Sequence, residues 1–161
     1  MNATTLGSAV VNSSLTSTGT LTGLTVSGIT DLQSRVGIAS ATENVTLSSN
    51  TSGSTDYNLN TSAVFYHNSL TGNIDVNFTN VPTVASKAYT IAIIFNQGGT
   101  GRTLGNNATI NGGSSTAINW NGGTAPSGET NKNEVFTINL VNISATATPS
   151  WLVFGGSAAF G

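Results

Sequence analysis

Ala88-Tyr-Thr-Ile-Ala-Ile-Ile-Phe95 is the one stretch of the chain in which apolar residues run almost without a break. Side chains alternate across a strand, so Tyr89, Ile91, Ile93 and Phe95 point to one face while Ala92 and Ile94 point to the other. That pattern predicts a central strand covered on both sides. The run is too short to cross a bilayer, which takes about 20 residues. Gln97-Gly-Gly-Thr-Gly101 follows it, a turn signal that closes a strand.

Working outward from this strand, shorter ones collect on both sides. Val45 and Leu47 alternate with polar neighbours, as do Ile74, Val76 and Phe78, and both segments read as half-buried strands with one wet face. Tyr57–Leu59 and Ala63–His67 supply two more. Beyond the central strand come Thr103–Leu104 and Ala108–Ile110 around Gly105-Asn-Asn107, and then Thr116–Trp120, which stops at Asn121-Gly-Gly123. Glu134–Ile143 carries Phe136, Ile138 and Leu140 and then shifts phase to Val141 and Ile143, which suggests a bulge. Trp151–Phe154 closes the series ahead of a small-residue tail. Many short strands with Gly and Asn turns and no long amphipathic helix predict an all-β head over 41–161, a β-sandwich or jelly roll. Its edges hold few of the charges that usually prevent strand pairing, so neighbouring subunits are expected to cover some of them.

Composition narrows the function classes. Only 6% of the 161 residues are charged, against about 25% in typical soluble domains; Ser, Thr, Asn and Gly must solvate the surface instead. The net charge of −2 is spread over isolated residues, so there is no basic stripe for nucleic acid. With no cysteine, neither a disulfide framework nor a thiolate metal site is available. The N-terminus has neither the basic nor the apolar region of a secretory signal, and no segment predicts membrane insertion.

All eleven aromatics lie at or beyond Tyr57, so residues 1–40 cannot build a core alone. They read as an extended stem or anchor in which single aliphatics stand among Thr, Ser and Gly. Within it, Thr30-Asp-Leu-Gln-Ser-Arg35-Val36-Gly37 carries capping signals at both ends and predicts one short helix near 30–36. A helix of that length is marginal by itself, yet Ile29, Leu32 and Val36 share one face at coiled-coil spacing. We expect Leu21, Leu24, Val26, Ile29, Leu32 and Val36 to face a threefold axis in a homotrimer. Burying one such side chain contributes about 1.5–3 kcal/mol, against the entropy of ordering the tail. A flexible tail, or a helix packed on its own head, is the competing reading.

Chemistry-bearing residues are few. His67 is the only histidine, and a rim position at a strand end is expected for it rather than a triad. Asp75 and Glu134 are the pair that such a fold could bring together for glycoside hydrolysis, but no motif supports an enzyme. No catalytic residue, cofactor or metal site is assigned. Gln97–Thr103 lacks the Gly-Lys-Ser/Thr ending of a phosphate loop and reads as a hairpin with Arg102 solvated or paired across a subunit boundary. Asn119-Trp120-Asn121 is the candidate glycan platform, with an indole to stack on a sugar and amides to bond its hydroxyls; core packing or a subunit contact is the alternative for Trp120.

Leu21-Thr-Gly-Leu-Thr-Val-Ser-Gly28 with Ile29-Thr-Asp-Leu-Gln33 resembles the shaft segments of tail-fibre and other virion proteins of tailed phages, marine cyanophages especially. Ile118–Pro126, Glu134–Ile138 and Trp151–Gly155 are similar to the C-terminal β-domain of those proteins. The resemblance implies a homotrimer exposed on the virion surface, with a threaded stem and a β head. A stem this short favours a short fibre, spike or capsid-decoration protein, anchored to a capsid or tail protein through its N-terminal region. The alternative is a receptor- or glycan-binding head of a tail fibre, with a host-surface glycan as partner.

Overall fold

The computed structural model describes Thr25 and residues 36–161 except 50 and 147. The chain divides into two units, Met1–Ser40 and Ala41–Gly161, and every described strand belongs to the second. The helix expected near 30–36 and the stem positions Leu21, Leu24, Val26, Ile29 and Leu32 lie outside the described residues. Val36 is described; it has no regular structure and is 46% exposed.

Nine strands make up the second unit: β1 (Val45–Ser49), β2 (Gly53–Asn58), β3 (Val64–Asn68), β4 (Ile74–Thr79), β5 (Ala88–Asn96), β6 (Leu104–Ile110), β7 (Thr116–Trp120), β8 (Asn133–Asn142) and β9 (Trp151–Phe160). They form one curled mixed sheet in the order β1-β3-β5-β8-β9-β7-β6-β4-β2. The chain winds between two walls, since β1, β3 and β5 stack in parallel on one and β2, β4 and β6 in parallel on the other. Three two-strand coils result. Then β7 turns back on β6, β8 runs antiparallel to β5, and β9 fills the gap by pairing with both β8 and β7. That closes the sheet at one end and leaves β1 and β2 as its two edges.

The all-β expectation therefore holds, but the wiring is not that of a jelly roll, whose strands are antiparallel. Five of the eight strand pairings here are parallel. Parallel stacking follows from connections that cross to the other wall between consecutive strands, so each coil returns in the direction it came from.

The core lies between the walls and is built from alternate residues of each strand. Phe65, Ile93 and Phe136 make one inward row and His67, Phe95 and Glu134 the next. Facing them are Tyr57, Phe78 and Ile110. Tyr57 meets Phe65 edge to face at 5.0 Å and Phe95 meets Phe136 at 4.9 Å, the geometry favoured by ring quadrupoles. Burying side chains of this size supplies most of the stabilisation, at about 25 cal/mol per Å².

Two sequence expectations change. The bulge predicted in β8 is absent, because Asn142 takes the inward position after Leu140. It is satisfied there: its amide donates to Thr83 O at 3.2 Å and Val84 O at 3.1 Å, and its carbonyl accepts from Ser144 and Ser150. The irregularity is in β6 instead, where Ile74 pairs with Leu104 but Val76 pairs with Ala108. Asp75 therefore stands opposite Gly105, Asn106 and Asn107 together. The small-residue tail is not a tail but the second half of β9, held by β8 along ten residues. Gly155 within it is required, since a Cβ there would lie 2.6 Å from the Trp120 ring.

Candidate functional site

β1 is the strand whose orientation matters most. Its apolar residues were expected to face the core, and they do not. Val45 pairs with outward-facing Val64 and Leu47 with outward-facing Tyr66, leaving Val45 50% and Leu47 74% exposed. Thr46 and Ser48 point inward instead. Register decides this, because shifting a strand by one residue moves every side chain to the other face. The inward hydroxyls hold that register: Thr46 Oγ1 lies 3.0 Å from Ser62 Oγ, whose hydroxyl also donates to Val64 O at 2.8 Å.

The outer face of this wall carries one row that is apolar right across. Leu47, Tyr66, Ile94, Val135 and Ala158 form one row over β1, β3, β5, β8 and β9. Val45, Val64 and Ala92 run beside it. Phe154, 44% exposed, and Phe160, 57% exposed, extend the patch along β9. Neutral polar residues bond to one another across it: Thr90 Oγ1 donates to Asn139 Oδ1 at 2.8 Å, and Asn96 Nδ2 to Tyr66 Oη at 3.1 Å; the Lys132 ammonium at the Phe160 end donates to Gly161 O. The central strand is thus buried on the Ile91, Ile93 and Phe95 side, while Ala92 and Ile94 are only half-buried.

The opposite wall differs in kind. There Asn77 Nδ2 donates to Asp56 Oδ1 at 2.6 Å and Thr109 Oγ1 donates to Asn77 Oδ1 at 2.5 Å, a hydrogen-bonded row across β2, β4 and β6. The β6 bulge opens a concavity of about 260 Å³ beside it, lined by Ser54, Asp75, Asn106, Asn107 and Ser115 among others. Bulges re-aim side chains in this way. The result is a shallow polar hollow with one carboxylate and no aromatic wall.

The remaining candidates resolve as follows. His67 is not at a rim but in the core, between Tyr57 at 5.6 Å and Phe95 at 5.4 Å. Its Nδ1 lies 3.1 Å from Thr51 Oγ1, and burial holds its pKa below the usual imidazole value. Among the described residues its polar partner is Thr51 and not a serine or a carboxylate. Asp75 and Glu134 are not brought together, since Asp75 faces outward on β4 and Glu134 is buried on β8.

Sequence reasoning missed the Glu134 corner, because nothing in the pattern marked that carboxyl as buried. Gln97 Nε2 donates to Glu134 Oε2 at 3.0 Å and to Arg102 O at 2.7 Å, while Arg102 N donates to Gln97 Oε1 at 2.8 Å. Burial pushes the Glu134 carboxyl up, and the nearby Glu129 carboxylate adds to this; bonds from Gln97, the Glu129 backbone and Ser157 oppose it. Close backbone contact between Gly101 and Gly128, where a Cβ would come within 2.0 Å of Gly128 O, clamps the two loops shut over the corner. The corner ties the loop after β5 to the buried Glu134 carboxyl through Gln97.

Trp120 lies in the core, packed on Phe136 at 6.2 Å and on Gly155, so its ring offers no free face to a sugar. Asn119 Nδ2 donates to Val153 O at 2.9 Å, and Asn121 begins an exposed 3-10 turn at Asn121–Gly123. Among the described residues no group of three His, Cys, Asp or Glu could hold a metal ion, and no helix is long and apolar enough to cross a membrane. Compared with protein-family models, with curated proteins and with solved structures, the chain matches none of them.

Proposed function

We propose that the protein is a structural part of a tailed-phage particle: a short trimeric fibre or spike, or a capsid-decoration protein, on the virion surface. In this reading residues 41–161 are a two-walled, sandwich-like head. Residues 1–40 are the stem, with one short helix, that intertwines three chains and fixes them to a capsid or tail protein. The observation that carries it is the apolar row across the outer wall of a charge-poor head. Apolar patches of a few hundred Å² are often functional contact surfaces, and this one supports a role in assembly.

Electron microscopy of particles labelled with antibody against the head tests the location, with label expected at regular sites on the capsid or tail. Particles that lack the protein contradict it. Light scattering on the full chain and on a chain beginning at Ala41 tests the stem: the full chain should be the larger multimer. Equal numbers of chains per particle contradict the role of residues 1–40.

A further inference from the structure

We infer that the outer face of the β1-β3-β5-β8-β9 wall packs against the same face of neighbouring copies of this chain. The inference rests on the self-assembly reading above and deepens it, since it adds a contact made by the head itself.

Three observations select another copy as the occupant. First, the rows running from Val45 and Leu47 on β1 to Gly156 and Ala158 on β9 contain no charged residue. A strongly charged partner would find nothing to pair with, whereas a symmetric copy buries no charge at all. Second, the wall ends at β1, one of the two edges of the sheet, whose free side carries Thr, Ser, Val and Leu and none of the Lys or Pro residues that usually block pairing. A contact on the face therefore continues naturally around the edge. Third, the area suits a supported contact. Five strands about 4.8 Å apart over about five residues of 3.3 Å give a flat footprint of roughly 400 Å². A stable interface takes about 800 Å² per partner, so the wall alone binds weakly and contributes fully only where a second contact already brings copies together. About the threefold axis proposed above, the Leu47 row of each copy then faces those of its two neighbours.

The chain has no cysteine, so single cysteines report on one position each. Full-length protein carrying Leu47→Cys, or Asn106→Cys on the exposed bulge of the other wall, is reacted with a maleimide dye under conditions where light scattering reads a multimer. The expected result is labelling at least tenfold slower at position 47 than at 106. Equal rates in a multimer overturn the inference and leave self-assembly through residues 1–40 standing. A chain that is monomeric at every concentration overturns both. Leu47→Asp in the full chain supplies the second arm: the concentration for half-dissociation should rise at least tenfold. Slow labelling at 47 with association unaffected by Leu47→Asp also overturns the inference, because the cover then belongs to the same chain.

Discussion

The two outer walls of the head share strand geometry and a common core, and differ in what they offer to water. On the β2-β4-β6 wall, Asp56, Asn77 and Thr109 bond to one another in register, so that row pairs its polar groups within a single chain. On the other wall, Leu47, Tyr66, Ile94, Val135 and Ala158 stand in register as an apolar row, with Leu47 74% exposed and Tyr66, Ile94 and Val135 half-buried. Inside, both walls contribute equally large apolar side chains. A coil that must be apolar inside can carry any chemistry outside, and the contrast teaches that this one carries two: a hydrogen-bonded polar row on one wall and an apolar row on the other.

The comparison breaks most visibly in the core. Phe136→Ala removes the ring between Phe95 and Trp120 and should cost about 3–5 kcal/mol in denaturant unfolding; a loss under about 1 kcal/mol would mean the walls are not packed on each other. Gly155→Ala drives a methyl into Trp120, and overpacking of this kind costs about 1–3 kcal/mol, read as a lower unfolding midpoint with unchanged denaturant slope.

Outside the core, the walls themselves can be set against each other. Asn77→Ala breaks both bonds of the polar row and should cost about 0.5–1.5 kcal/mol in any assembly state. Leu47→Ala in a dissociated chain should change stability by less than about 0.5 kcal/mol, but it should weaken association. If Leu47→Ala destabilises the dissociated chain as much as a core leucine would, the residue is already covered.

A smaller effect concerns pH, where two buried groups pull in opposite directions. Glu134 holds its proton more tightly in the fold than at its ordinary value of 4.5. Its contribution to stability is present below that value and is lost as pH rises through the folded one. His67 holds its proton less tightly than at 6.5, so its contribution is present above 6.5 and is lost as pH falls. Glu134→Gln should leave a stability that drops on acidification below about 6.5, and His67→Phe one that drops on alkalinisation above about 4.5. Identical pH profiles for the two variants would contradict both burials.

Much of the head was legible in advance. The unbroken run at Ala88–Phe95 marked a central strand, and Gly and Asn marked turns, because backbone preference and alternation are local properties. What the sequence could not carry was register. Val45-Thr-Leu-Ser alternates equally well with either set inward, and only pairing with Val64–Asn68 turned the hydroxyls in and the aliphatics out. Parallel wiring was equally hidden, since it depends on where each connection crosses and not on any strand's own residues. Trp120 illustrates the same limit: flanked by amides and glycines it resembles an exposed platform, yet Gly155, thirty-five positions along, makes the space that buries it. Glu134 reads like any surface carboxylate until Gln97 and the loops above it are folded over.

The account turns on whether the apolar wall and the N-terminal stretch draw copies of the chain together. Light scattering of the full-length protein over a range of concentrations tests this directly. The prediction is a mass of about 49 kDa, three times the 16.2 kDa of one chain, falling towards the single-chain mass when Leu47 is replaced by Asp. A full-length protein that remains at 16.2 kDa at every concentration would contradict it.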